Sequence, residues 1–245
     1  MLLKIANVTE IDGTIVTVKK NGNIYSIKVK ATKVDSKTKR LNWIYNKTKP
    51  NFCLKTTDKY CYIDINKFVD DKKMNMNKLY FDIMKAIDCQ KPFIIDVRGN
   101  GGGNFKLFKK SLEQIAKEGA KGYCLIDEKT CSAAVMTAKA LKNTGFILVG
   151  SPTKQPSTFY GGVYNNLETR SGFQYRVATR LVDDNQISHC KNIPSSTRFP
   201  DVPLQPDVLI EPSIEDFKKG KDPALNYCKE NVARFIENDL YFDCT

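Results

Sequence analysis

Ile94-Ile95-Asp96-Val97-Arg98-Gly99-Asn100-Gly101-Gly102-Gly103-Asn104 runs a short apolar stretch straight into a cluster of glycines. Such a stretch suits a short apolar strand. The glycines carry no Cβ to crowd the loop, so its backbone N–H groups can be aimed at a ligand. A second segment, Leu125-Ile126-Asp127-Glu128-Lys129-Thr130-Cys131-Ser132-Ala133-Ala134, sets a serine between another apolar strand and a helix-like run. An acyl-transfer serine needs a base within hydrogen-bond reach and donors where the oxyanion develops. The N–H of Ala133, unpaired at a helix start and at the positive end of the macrodipole, is one such donor. Gly102 or Gly103 supplies a second. Ser132 also suits a plain helix N-cap, but the glycine loop favours a nucleophile facing an oxyanion hole.

Outward from these segments the pattern alternates. Tyr60 to Ile65, Pro92 to Val97, Gly122 to Ile126 and Phe146 to Val149 read as strands. Met74 to Ile87, Phe105 to Lys117 and Ser132 to Lys142 read as helices. That order predicts an α/β domain built from β-α-β crossovers. Further strands are expected at Phe173 to Thr179 and Val208 to Ile210, and a C-terminal helix opens at Asp222-Pro223 and reaches about Glu237. Residues 13–30 alternate around Asn21-Gly22 and predict a β-hairpin. The chain thus divides into a β-rich N-terminal part, 1–50, and an α/β domain, 51–245.

Composition narrows the function classes. The 245 residues are 41% hydrophobic with a net charge of +12, enough for one full-sized core. The lysines are scattered along solvated strand faces such as Lys28, Lys30 and Lys33, which argues against a nucleic-acid partner. No apolar run reaches the roughly 20 residues of a bilayer span, and Met1-Leu2-Leu3-Lys4-Ile5 lacks the apolar core of a signal peptide. The eight cysteines show no paired metal spacing, so no metal is expected. Cys61 and Cys124 fall in strand patterns and Cys89 and Cys228 in helical ones, where buried thiols are the simplest reading. No Gly-Lys-Ser or Gly-Lys-Thr comes after the glycines, which removes the usual phosphate-binding loop.

The chain resembles the S41 peptidases, the C-terminal processing (tail-specific) and tricorn-like proteases, at several segments in order. Asp96 to Gly103 is similar to their glycine-rich oxyanion segment and Thr130 to Ala134 to their nucleophile segment. Val149-Gly150-Ser151-Pro152-Thr153, Tyr160-Gly161 and Gln205-Pro206-Asp207-Val208 resemble segments downstream of the nucleophile in that family. The resemblance implies a ClpP/crotonase-like superhelical β-α-β core, with the N-terminal hairpin region as a remnant or replacement of a PDZ-like module. It also implies a serine endopeptidase acting on flexible or C-terminal polypeptide segments, with no cofactor. Ser132 is then the nucleophile, with Gly102, Gly103 and Ala133 forming the oxyanion hole and Tyr160 and Gly161 shaping the substrate cleft.

The general base is where the chain departs from the family. Processing proteases of this kind place a lysine about twenty-five positions after the serine, where this chain has Ser157. Lys154 is the nearest lysine, and the tricorn-like alternative, a histidine, could be met only by His189. A domain that has lost its base and binds peptides or an apolar ligand is therefore the alternative to an active enzyme. The partner implied is a polypeptide substrate, and a homo-oligomer is compatible with the sequence. Localisation stays open between the cell envelope or exterior, which the resemblance suggests, and the absence of an export signal in this chain. Asp96 and Arg98 are expected to pair locally in a structural role.

Overall fold

The computed structural model describes residues 14–20, 22–29, 50–70, 75–162, 164–182, 191–192 and 202–237. The chain divides into two compact units, Met1–Leu41 and Asn42–Thr245. In the first, β1 (Thr14–Lys20) and β2 (Asn23–Val29) form an antiparallel hairpin whose last pair, Lys20 with Asn23, closes a two-residue turn. Gly22 in that turn has φ +82°, a conformation that costs glycine nothing and that the Asn-Gly pair anticipates.

The second unit is built on a six-stranded, mainly parallel sheet. Its strands are β3 (Phe52–Thr56), β4 (Cys61–Ile65), β5 (Phe93–Asp96), β6 (Gly122–Ile126), β7 (Ile147–Gly150) and β12 (Val208–Leu209). They lie in the order β12-β7-β6-β5-β4-β3, and only the edge strand β3 runs antiparallel. Helices α1 (Met76–Asp88), α2 (Lys106–Lys117) and α3 (Ala133–Asn143) connect successive parallel strands, as the alternating sequence predicts. Asn75 caps α1 by accepting from the Lys78 N–H at 2.9 Å, which places its start two residues later than hydropathy alone suggests.

Strand alternation sorts each apolar stretch between two cores. Phe93, Ile95, Cys124, Ile126 and Leu148 face α1, α2 and α3, packing on Ile83, Phe108, Leu112 and Leu141. Ile94, Tyr123, Leu125 and Val149 face the other way, onto Ala224, Cys228 and Val232 near the C-terminus. Burial on both faces explains why these strands read as continuous apolar runs rather than as alternating ones. Burial also pushes the Cys228 thiol up to about 12, so it packs as a small apolar group. Cys61 and Cys124 are buried as expected, whereas Cys89 lies at the exposed end of α1.

Three features differ from the sequence reading. Strand β3 carries no clear signal, because an edge strand with the pattern Phe-Cys-Leu-Lys-Thr buries only one end. Phe173 to Thr179 yields β10 (Gln174–Ala178), which pairs with β9 (Tyr164–Glu168) in a separate antiparallel hairpin; β8 (Phe159–Tyr160) pairs likewise with β11 (Leu181–Val182). At the C-terminus, α4 (Ile214–Lys219) precedes α5 (Pro223–Asn231), and the long helix expected there is interrupted before α6 (Arg234–Glu237). Among the described residues no helix is long and apolar enough to cross a membrane.

Candidate active site

The glycine loop after β5 and the loop after β6 are spliced together by three buried polar side chains. Asn100 is fully buried: its amide donates to Ile65 O at 2.8 Å, its Oδ1 accepts from the Gly102 N–H at 2.8 Å, and its own carbonyl accepts from the Cys131 N–H at 3.0 Å. Asp127 accepts from the Gly99 N–H at 3.0 Å and from the Lys129 and Thr130 N–H groups at 3.0 and 2.9 Å. The Thr130 hydroxyl lies 3.1 Å from both Val97 O and Asp127 Oδ1. Buried polar groups persist only when satisfied, and here their satisfaction fixes one loop against the other. None of the three stands out as a site residue in the sequence, although Asp127-Glu128-Lys129-Thr130 carries the signal of a local Asx turn.

Ser132 stands at the junction these contacts create. It is the residue before α3, half-buried, with φ +56° and ψ −122°. A non-glycine residue held there stores of order 1–3 kcal/mol of backbone strain, a cost tolerated mostly at functional sites. Its side chain makes no cap hydrogen bond to the helix, so the plain N-cap reading is set aside. Gly102 packs directly against it. A Cβ on Gly102 would fall 2.6 Å from Ser132 Cβ and 3.0 Å from its Oγ, and Gly102 itself has φ +103°, so only glycine fits.

The candidate oxyanion donors separate on geometry. The Gly102 N–H is already engaged by Asn100 Oδ1. Gly103 forms a parallel bridge with Phe68 in which Phe68 donates to Gly102 O and Asn104 donates to Phe68 O. That pairing leaves the Gly103 N–H directed away from Phe68. The Ala133 N–H opens α3 and is one of the helix's unpaired first-turn donors. Gly103, Ser132 and Ala133 together line a cleft of about 500 Å³.

Comparison of the sequence with protein-family models and with curated proteins finds no match. Comparison of the fold with solved structures does. A candidate peptidase from Parabacteroides merdae ATCC 43184 matches over 78% of this chain and 68% of its own, with 16% identity and a TM-score of 0.54. Mature CPAF matches over 92% of this chain and 67% of its own, with 11% identity and a TM-score of 0.51. The chain has the fold of a peptidase. A looser match, at 11% identity and a TM-score of 0.44, is a candidate S41 protease from Bacteroides fragilis NCTC 9343, covering 94% of this chain and 67% of its own. The chain thus spans about two thirds of the length of each of these.

Within this peptidase fold the cleft is walled by Phe105, Met136, Phe159 and Val182 and rimmed by Lys106, Lys109 and Arg180. The sequence pointed to Tyr160 and Gly161. Tyr160 is 64% exposed, and Gly161 is tied through its N–H to Arg180 O at 2.8 Å; their neighbours Phe159 and Gly162 line the cleft instead. Period-two alternation along β8 turns Phe159 inward where Tyr160 turns out.

Lys154 is exposed to solvent, on a loop whose backbone donates to Thr130 O at 3.0 Å. The neighbouring Cys131 donates its thiol to Gln155 Oε1 at 2.8 Å, and burial pushes that thiol up despite the pull of Lys154, which disfavours the thiolate a nucleophile would need. His189 lies outside the described residues. Among the described residues no group of three or more His, Cys, Asp or Glu side chains could hold a metal ion.

Asp96 and Arg98 sit behind the site. Arg98 is buried, 2.6 Å from Asp96 Oδ2 and 2.8 Å from Asp222 Oδ2, and Tyr62 donates to Asp96 at 2.9 Å. Burial alone would raise the Asp96 carboxyl, but the Arg98 guanidinium and its hydrogen bonds hold it below the usual carboxylate range. The cluster joins β5 to the start of α5, where Asp222 also caps the Leu225 N–H at 3.1 Å.

Proposed function

We propose that this chain is a serine endopeptidase of the S41 type that hydrolyses peptide bonds in flexible or C-terminal polypeptide segments. The observation that carries the reading is Ser132 itself: a strained residue, wedged against Gly102, that opens onto a cleft beside the Gly103 and Ala133 amides. Ser132 Oγ attacks the scissile carbonyl carbon. The amides of Gly103 and Ala133 hold the oxyanion, with Gly102 supporting the loop rather than donating. The tetrahedral intermediate expels the amine, and water then hydrolyses the acyl-enzyme.

The succession of parallel β-α-β units supports placing the core with ClpP/crotonase-like folds, and residues 1–50 are proposed as the remnant of a PDZ-like module. The basic rim of Lys106, Lys109 and Arg180 over an apolar wall suits substrates that combine acidic and apolar residues near the cleavage point.

Digestion of a fluorescent unfolded polypeptide, with Ser132→Ala in parallel, tests the reading. Cleavage by the wild type with a loss of about 10⁴-fold or more in the variant is expected. The variant keeps its fold, because a hydroxyl without a cap bond contributes little to packing. Equal cleavage by both proteins, or binding of the polypeptide without turnover by either, would contradict it.

A further inference from the structure

Between β7 and β12 the chain leaves the parallel sheet as a two-stranded arm. At its base β8 pairs with β11, Phe159 opposite Val182 and Tyr160 opposite Leu181. Farther out β9 pairs with β10, Leu167 opposite Tyr175. The base helps to build the cleft, since Phe159 and Val182 both line it. Tyr160 and Leu181, their neighbours in the same strands, turn the other way and are exposed.

The outer part of the arm shows the same imbalance. Phe173, Tyr175 and Val177 share one face of the ribbon by their period-two spacing, and Leu167 joins them as the partner of Tyr175. The rings of Phe173 and Tyr175 stack, with 6.3 Å between centroids and 24° between planes. Leu181 continues the same odd-numbered series. With Tyr160, these six large apolar residues are between 42% and 65% exposed. The charged side chains of the four strands, Glu168 and Arg176, alternate onto the opposite face.

Such a face is physically incomplete. A two-stranded ribbon is marginal unless something packs on it, and among the described residues neither pair of strands has a third beside it. The six residues expose on the order of 550 Å². Contiguous apolar area on this scale marks an interaction site. Two copies packed face to face would bury about 1,100 Å², which clears the roughly 1,000 Å² expected of a specific interface and lies at the weak end of that class. Charge selects the occupant. An anionic bilayer or an acidic polypeptide calls for cations on the docking face, yet Arg176 lies on the opposite one and Arg180 lines the cleft. Chains that each carry a net charge of +12 approach one another most readily where no charges meet, and an uncharged face presented twice about a two-fold axis meets that condition.

We infer that the outer face of this arm docks a second copy of the chain, giving a symmetric dimer in which the two ribbons pack apolar face to apolar face. Val177 lies at the middle of the series from Phe173 to Leu181 and so next to the two-fold axis. Phe159 and Val182 stay turned to their own cleft. The contact is independent of the peptidase reading.

Sedimentation velocity of the full chain from about 1 to about 100 μM tests it, because a dimer must grow with concentration. The wild type is expected to pass from monomer to dimer with a dissociation constant on the order of 10 μM. Phe173→Ser combined with Tyr175→Ser should raise that constant about tenfold or more, whereas Arg176→Ser, on the opposite face, should leave it within about twofold. Added salt should strengthen the dimer by screening the repulsion between two cationic chains. Val177→Cys should give a disulfide-linked dimer on mild oxidation beyond what the native cysteines give, a readout that holds even where the double variant fails to fold. A wild type that stays monomeric at about 100 μM, a dimer unmoved by the double substitution in a folded chain, or one weakened by salt would overturn the inference. So would a monomer that uses Phe173 and Tyr175 to pellet with phosphatidylserine vesicles or to hold an unfolded polypeptide, since either result gives the face to another occupant.

Discussion

The pair Asp96 and Arg98 and the stretch Asn100 to Gly103 are parts of one sequence motif, yet they do opposite work. The first group turns to the rear face of the sheet, where Arg98 meets Asp96 and Asp222 and ties β5 to the last helices. The second turns forward, where Asn100 holds the glycine loop against the Cys131 peptide and Gly102 packs on Ser132. Rear charges are neutralised by their partners, so they hold the fold. In front, Gly103, Ser132 and Ala133 line a cleft, which is the face proposed to meet a substrate. Proximity in sequence is therefore a poor guide to role; the face to which the backbone turns a residue decides it.

If that division is right, variants on the two sides should fail differently. Arg98→Met, which leaves the buried Asp96 and the half-buried Asp222 without their cation, should lose about 3–5 kcal/mol of stability in a denaturant titration, while the protein that remains folded keeps its kcat. Asn100→Ala should do the reverse in emphasis. With the Gly102 amide no longer held, kcat should fall about 10²-fold, with KM little changed and a smaller stability loss of about 1–3 kcal/mol. Loss of kcat in folded Arg98→Met, or full activity in Asn100→Ala, would erase the distinction.

Acid should act on the rear cluster first. Because the folded Asp96 carboxyl is held below its unfolded value, its contribution is fully present above the unfolded carboxylate pKa of about 4 and is lost as pH falls through the lower folded value. The melting temperature should therefore drop below about pH 4, and Asp96→Asn should flatten that part of the profile. An unchanged slope in the variant would show that Asp96 is not among the carboxylates responsible. The smallest effect is expected at the rim of the cleft, where Arg180→Ala should raise KM a few-fold for acidic polypeptides and leave neutral ones unaffected, because exposed charges contribute about 1 kcal/mol or less.

Much of this was legible in the sequence, for physical reasons. Strands buried on both faces announce themselves as apolar runs, and a glycine cluster after such a run marks a backbone that must come close to something. Both signals are local. The members of the site that the sequence hides act across the chain: Asn100 reaches Ile65 and Thr130 reaches Val97, and no periodicity encodes those distances. Tyr160 and Phe159 project to opposite sides of β8, because one step along a strand reverses the side chain's direction.

The most direct measurement is mass-spectrometric mapping of the chain after exposure to a fluorophosphonate, which forms a covalent adduct with activated serines. One adduct on Ser132, absent from Ser132→Ala, is the result expected of a nucleophile poised between the Gly103 and Ala133 amides. Unmodified Ser132 in a preparation that still cleaves unfolded polypeptide, or labelling confined to another residue, would contradict it.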